Sequence, residues 1–165
     1  MSFLPRWINL NFPLFLSMNR FFLLLLPAFF FFQGKAQSAS SDTLVIREVI
    51  TGFFKGMHEN DTNLVKQNCC FAPDFKHISG KMPRFRQESF QGFLDFIGNP
   101  KYLGKIDERN TIESIQLSGP MAVVWCPYEF FMDGKYSHKG VNSITLIKSG
   151  REGWKICGLI DTREK

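Results

Sequence analysis

The sequence predicts an α+β domain in which three helices come first and pack on one face of a curved antiparallel sheet. Two observations carry that reading. Apolar residues recur at helical spacing up to about residue 97, and from about residue 107 the period becomes two. A third, Asp133-Gly134 set between two long alternating runs, marks a tight β-hairpin at the centre of the sheet.

The first helix is expected over about 42–58. Val49, Ile50, Phe53, Phe54 and Met57 form one apolar face, and Ser41 or Asp42 is placed to cap its start. Asn60-Asp61 ends it and caps a shorter second helix with Leu64 and Val65 turned inward. A short strand is expected over 71–78, then a basic loop from Gly80 to Gln87. A third helix carries Phe90, Phe93, Leu94 and Ile97 and is stopped by Gly98-Asn99-Pro100. Four strands follow, at about 108–117, 121–132, 135–148 and 154–162. Their turns are Gly119-Pro120, Asp133-Gly134 and the loop from Ser149 to Gly153.

Ahead of this domain the composition changes. Arg20 precedes a wholly apolar run, Phe21 to Phe32, and then Gln33-Gly34-Lys35-Ala36. A basic n-region, an apolar h-region and small residues at the −3 and −1 positions of a cleavage site describe a secretory signal over 1–36, cut near Ala36. The run is too short for a bilayer span, which takes roughly 20 apolar residues, so no membrane attachment is expected once it is removed. Met18 makes a tidier start than Met1, which would make 1–17 an extension. Residues 37–41 are a polar lead-in, 42–162 the domain and 163–165 a tail. The product is expected to be exported, periplasmic or secreted.

Twenty basic residues against 15 acidic ones give a net charge of +5. Arg6, Arg20 and Lys35 leave with residues 1–36, so the remainder holds 17 against 15, a net of +2. No basic patch remains that suggests a nucleic-acid partner. Cys69, Cys70, Cys126 and Cys157 form no C-x-x-C and no framework spacing. A 126–157 bridge is not expected, and neighbouring Cys69 and Cys70 cannot easily join each other.

A two-residue turn pairs Met132 with Lys135, and the register of the hairpin follows from it. Phe131 then faces Tyr136, Glu129 faces His138 and Trp125 faces Asn142. One face carries Val123, Trp125, Glu129, Phe131, Tyr136, His138, Asn142, Ile144 and Leu146. It is large and apolar apart from Glu129, His138 and Asn142, as the wall of a small-molecule pocket would be. The other face, with Cys126, Tyr128 and Phe130, is then the outer one. A bulge near Pro127 would invert Trp125 and everything before it. If Trp154 faces Lys148, then Trp154, Ile156 and Ile160 join the inner face.

At this point a resemblance emerges. The helix order, Phe71-Ala72-Pro73-Asp74-Phe75, Trp125-Cys126-Pro127-Tyr128-Glu129-Phe130, His138-Lys139-Gly140-Val141-Asn142, Gly153-Trp154-Lys155-Ile156 and Asp161-Thr162-Arg163 together resemble the NTF2-like superfamily over about 42–162. The branch they look most like is the SnoaL-like, lumazine-binding type of exported bacterial proteins. The resemblance implies a cystatin/NTF2-like cone with a pocket between sheet and helices and an outer sheet face that often makes a homodimer. It spans isomerases, cyclases, dehydratases, hydrolases and non-catalytic binders, so fold alone does not assign an activity. The Asp base with oxyanion-binding Tyr and acid of the ketosteroid-isomerase branch finds no residue-by-residue match here.

The expected ligand contacts are Trp125, Glu129, His138, Asn142, Phe54 and Tyr136. Three functional readings stand open. The first is an exported, non-catalytic domain that binds a small, partly apolar molecule. The second is an acid–base enzyme whose working pair is Glu129 and His138, the carboxylate orienting the imidazole. The third is a dimeric, partner-binding module that uses the outer face around Tyr128, Phe130 and Cys126. No nucleophile elbow, P-loop, dinucleotide fingerprint or H-E-x-x-H occurs. No cofactor is expected. No metal site is expected either, since His77 with His138 lacks a third fixed ligand. Asp161 reads as a strand-end cap.

Overall fold

A computed structural model describes residues 41–80 and 83–165. The expected signal segment, its cleavage site and the lead-in to residue 40 lie outside the described residues. Among those described, no helix is long and apolar enough to cross a membrane.

Helix α1 covers 41–58. Ile46, Ile50, Phe53, Phe54 and Met57 are buried along one stripe, as their spacing requires. Asp42 is not a cap. It lies within the helix, and its carboxylate accepts hydrogen bonds from Trp154 Nε1 (3.0 Å) and Lys148 Nζ (2.7 Å), tying α1 to the sheet. Helix α2, Thr62–Asn68, starts at Asp61, whose side chain accepts from the N–H groups of Asn63 and Leu64. Strand β1 (Cys69–Ser79) follows, longer at both ends than expected. The basic stretch thought to be a loop contains strand β2, Arg84–Glu88, which pairs antiparallel with β1. Its residues are polar apart from Phe85 and mostly exposed, so hydrophobic alternation gave no signal for an edge strand. Helix α3, Phe90–Ile97, is capped by Ser89.

The rest is strand: β3 (Ile106–Asn110), β4 (Ser114–Ser118), β5 (Met121–Met132), β6 (Lys135–Ser149) and β7 (Gly153–Arg163). What reads as one strand over 108–117 is two, both lying along β5. The sheet order is β2-β1-β7-β6-β5-β3, antiparallel throughout except where β1 runs parallel to β7. The architecture is therefore the α+β cone, a curved and unclosed sheet with helices on its concave side.

The Asp133-Gly134 turn forms as expected, with φ of 55° and 71°, the paired positive values of a type I′ turn. Met132 opposes Lys135 and Phe131 opposes Tyr136. Then the register slips. Phe130 pairs with His138, Tyr128 with Gly140 and Cys126 with Asn142, leaving Ser137 as the extra residue of a bulge. The slip lies two residues past the turn on β6, not at Pro127. Every residue of β5 before it changes face relative to the plain hairpin. Val124, Cys126 and Tyr128 are buried on the concave face, while Trp125 and Glu129 point out.

A second slip occurs in β7. Trp154 opposes Lys148 and Ile156 opposes Leu146, as expected, and both are buried. Thr145 then opposes Gly158, with Cys157 the extra residue. Beyond it the parity reverses, so Leu159 and Asp161 face in and Ile160 faces out. The two bulges bend the sheet around α1 and α3.

Candidate functional site

Between the concave face and the helices lies a cavity of about 170 Å³. Its apolar side is built by Phe53, Phe54 and Met57 of α1, Phe93 and Phe96 of α3, and Phe75 and Leu159 of the sheet. The rings pack on one another: Phe53 stacks on Phe93 with centroids 5.7 Å apart, and Phe75 meets Phe93 edge-on at 4.9 Å. The opposite wall is polar and comes from six strands, with His77 (β1), Glu88 (β2), Glu108 (β3), Tyr128 (β5), His138 and Asn142 (β6), and Asp161 and Arg163 (β7) among its residues.

His77 sits at the centre of one cluster. Its Nδ1 lies 2.8 Å from Asp161 Oδ2 and its Nε2 lies 2.9 Å from Glu88 Oε2. Arg163 Nη2 donates to Asp161 Oδ2 (3.1 Å) and also lies 2.8 Å from His77 Nδ1. A guanidinium only donates, so it competes with Asp161 for that nitrogen. Each of two proton arrangements satisfies all but one of these contacts. Either His77 is an imidazolium held by both carboxylates, or it is neutral, giving Nε2–H to Glu88 and accepting from Arg163 at Nδ1. Burial is the largest influence on His77 and pushes it toward the neutral form. The hydrogen bonds to Asp161 and Glu88 outweigh it, and the net shift of its pKa is upward. Glu88 is held below the usual carboxylate range, chiefly by its bond to His77.

Glu108 forms the second cluster. It is buried, and burial pushes its carboxyl up to about 7, against the hydrogen bond that Asn142 Nδ2 donates to its Oε1 at 2.8 Å. The nearby Asp161 carboxylate adds to the rise. Its backbone is pinned to α1: His58 Nε2 lies 2.9 Å from both its N–H and its carbonyl oxygen. A carboxyl in this range gives or takes a proton near neutral pH, and such groups concentrate at working sites.

His138 stacks on Phe130 (5.0 Å) and meets Tyr128 edge-on (5.7 Å). Burial, and then the positive charge of Arg163, lower its pKa, so it faces the cavity as a neutral imidazole. Tyr128 donates its hydroxyl to the Thr162 carbonyl at 3.0 Å.

Of the ligand contacts expected from sequence, Phe54, His138 and Asn142 line the cavity. Trp125, Glu129 and Tyr136 do not. Trp125 and Tyr136 are about half exposed, and Glu129 opposes Lys139 on the convex face. The expected Glu129–His138 pair is corrected accordingly, since the Ser137 bulge puts the two on opposite faces. The same slip brings Tyr128, Phe130 and Cys126 inward, so they cannot form an outer docking surface. Asp161 is no strand-end cap but a buried partner of His77 and Arg163. Both ring nitrogens of His77 face carboxylates, which leaves neither turned toward His138. Glu88, Glu108 and Arg163 were missed by sequence reasoning. Glu88 fell between the expected loop and the third helix, Arg163 fell in the supposed tail, and Glu108 sits at the start of an expected strand with no motif around it.

No protein-family model matches the chain, and no curated protein sequence does. Solved structures do match. An NTF2-like protein of unknown function from Shewanella baltica superposes with a TM-score of 0.63 at 15% identity, covering 76% of this chain and 96% of its own. An NTF2-like protein with a cystatin-like fold from Novosphingobium aromaticivorans gives 0.62 at 12% identity, over 79% and 87%. A member of the NTF2-like superfamily from Salmonella enterica gives 0.57 at 20% identity, over 77% and 94%. The chain thus shares the NTF2-like, cystatin-like fold with these proteins.

Proposed function

We propose that this chain is an exported domain that binds a small, partly apolar molecule in the cavity between helices and sheet. The observation that carries the reading is the division of that cavity into an aromatic side and a polar side. An apolar body fits against Phe53, Phe54, Phe93 and Phe96. A hydrogen-bonding group fits toward His138, Asn142 and Arg163. Among the described residues no buried side-chain nitrogen or oxygen lacks a partner, so the polar wall is preorganised by its own contacts. Export rests on the Arg20-to-Ala36 segment, and the SnoaL-like branch on the motifs given above.

A thermal-shift screen of the purified protein against small metabolites tests the binding reading. A ligand at about a hundred times its Kd adds about 2.7 kcal/mol, a rise of several degrees in Tm. Arg163→Ala should weaken such a ligand about tenfold, whereas Glu129→Ala on the convex face should leave it unchanged. A library that stabilises nothing, or equal loss from both variants, would sink the proposal.

One observation favours a second reading, an acid–base enzyme. Glu108 is a buried carboxyl poised near neutrality, and it takes the place that Glu129 held in the sequence-based expectation. Turnover of a stabilising ligand, abolished in Glu108→Gln while binding persists, would distinguish enzyme from binder.

A homodimer through the convex face is also proposed, on different residues from those first expected. Met121, Trp125, Ile147 and Ile160 are each more than 40% exposed, and Met121 opposes Ile147 there. Trp125→Glu should convert a dimer to a monomer in analytical ultracentrifugation. A wild-type monomer at high micromolar concentration would remove the idea.

A further inference from the structure

The cysteines offer a site that lies apart from the cavity. Strands β1 and β7 run parallel, and Cys69 is the ladder partner of Ile156. Both of those are buried on the concave side. The next residue on each strand is a cysteine, so Cys70 and Cys157 stand side by side on the other face, and both are part-exposed. The Cys70 thiol is near enough to push the pKa of Cys157 up. This is also where the ladder is irregular. Its register shifts between Cys69 and Asp74, and Cys157 is the bulge residue against β6. Phe71, next along, is fully exposed.

We propose that Cys70 and Cys157 form a disulfide that clamps β1 to β7. Neighbouring strands lie about 4.8 Å apart, inside the roughly 4.4–6.8 Å Cα separation that a disulfide spans. Cys69 points into the core and Cys126 lies on the buried side of β5, two strands from β7. The clamp joins the strand that carries His77 to the strand that carries Asp161 and Arg163, so it restrains the slide of one side of the polar cluster against the other. An oxidising compartment, as the export reading supplies, is where such a bond persists.

The chemistry needs a disulfide oxidant such as oxidised glutathione. One cysteine thiolate attacks it and releases a glutathione thiolate. The other cysteine thiolate attacks the protein sulfur of the mixed disulfide and releases the second. Two protein thiols lose two protons and two electrons, and one glutathione disulfide becomes two glutathione thiols. Burial, and then the neighbouring Cys70 thiol, push the Cys157 thiol up to about 12. Closure therefore speeds up as pH rises.

The test is to equilibrate the purified protein with oxidised glutathione at alkaline pH, then map alkylated and cross-linked peptides by mass spectrometry. A Cys70–Cys157 peptide is expected, with loss of two hydrogens from the intact mass and a Tm about 8 °C above the reduced form. A Cys69→Ala variant should keep the bridge and the Tm difference, and Cys157→Ser should lose both. Four thiols that all remain alkylatable, or a bridge through Cys69 or Cys126, would overturn the assignment. A Cys70–Cys157 bridge with no gain in Tm would overturn the clamp. None of these outcomes depends on whether the cavity binds a ligand or whether the chain is exported.

Discussion

Gly140→Ala should destabilise the fold by about 3 kcal/mol, read as a lower midpoint in urea with an unchanged slope. A β-carbon built on Gly140 falls 1.7 Å from the Thr162 carbonyl oxygen and 3.1 Å from the Tyr128 ring. The first distance lies well inside contact range, and backbone is what must move. That carbonyl is turned out of the β6–β7 ladder at this point. Tyr128 donates its hydroxyl to it, and the Thr162 hydroxyl accepts from the Val141 N–H at 3.1 Å. Regular pairing resumes at Lys139 with Glu164 and at Asn142 with Asp161. A methyl group at 140 would push Thr162 away, breaking the Tyr128 bond and shifting Asp161 and Arg163 on either side. Ligand affinity should therefore fall along with stability. A variant as stable as wild type would mean that the close approach of β6 and β7 is not required by the fold.

Helix positions and the spans of β5, β6 and β7 were legible because each rests on local periodicity. The spacing of Ile50, Phe53, Phe54 and Met57 reports a helix whatever it packs against, and Asp133-Gly134 dictates its own turn. Facing was legible only as far as the first bulge. A strand's two faces alternate residue by residue, so one extra residue, Ser137, reverses the partner strand's orientation relative to any register counted from the turn. On β6 the inward set of His138, Asn142, Ile144 and Leu146 survived. On β5 the inward set became Val124, Cys126, Tyr128 and Phe130 instead of their neighbours. The alternation of β5 itself carries little information, because both of its faces are apolar: Trp125 and Val123 on one, Cys126 and Val124 on the other.

The polar cluster was illegible for a different reason. His77, Glu88, Asp161 and Arg163 are scattered over most of the domain and meet only because β1 pairs with β2 on one side and parallel to β7 on the other. No local pattern announces a parallel pairing between the first and last strands. One signal was available in hindsight. Asp161 and Arg163 share one parity near the end of a strand, as two residues of one face do, and His77 lies near the end of the strand expected over 71–78. A charged pair of equal parity at the end of a buried strand needs partners, and the basic segment with Glu88 supplies one.

The largest pH effect should come from Glu108. Its carboxyl titrates at about 7 in the fold against a value of 4.5 when unperturbed. Below about pH 4.5 both states hold the proton, and above about pH 7 both have lost it. Between those limits the native state keeps a proton that the unfolded chain releases, so stability falls as pH rises. A raised carboxyl contributes in that direction, opposite to an ion-paired one. The difference corresponds to about 3 kcal/mol across the window. Other groups titrate nearby. His77, raised, also loses stabilising protonation as pH climbs, whereas His138, lowered, works the other way. Glu108→Gln isolates the carboxyl, because Gln keeps an oxygen to accept from Asn142 Nδ2 and removes the titration. Urea midpoints measured from pH 4.5 to pH 8 should show wild type losing stability relative to Glu108→Gln, with the two curves parallel above about pH 7. Curves that stay parallel across the whole range would mean that Glu108 ionises like an exposed carboxyl. It would then have no proton to hold at neutral pH, and the acid–base reading of the cavity would go with it.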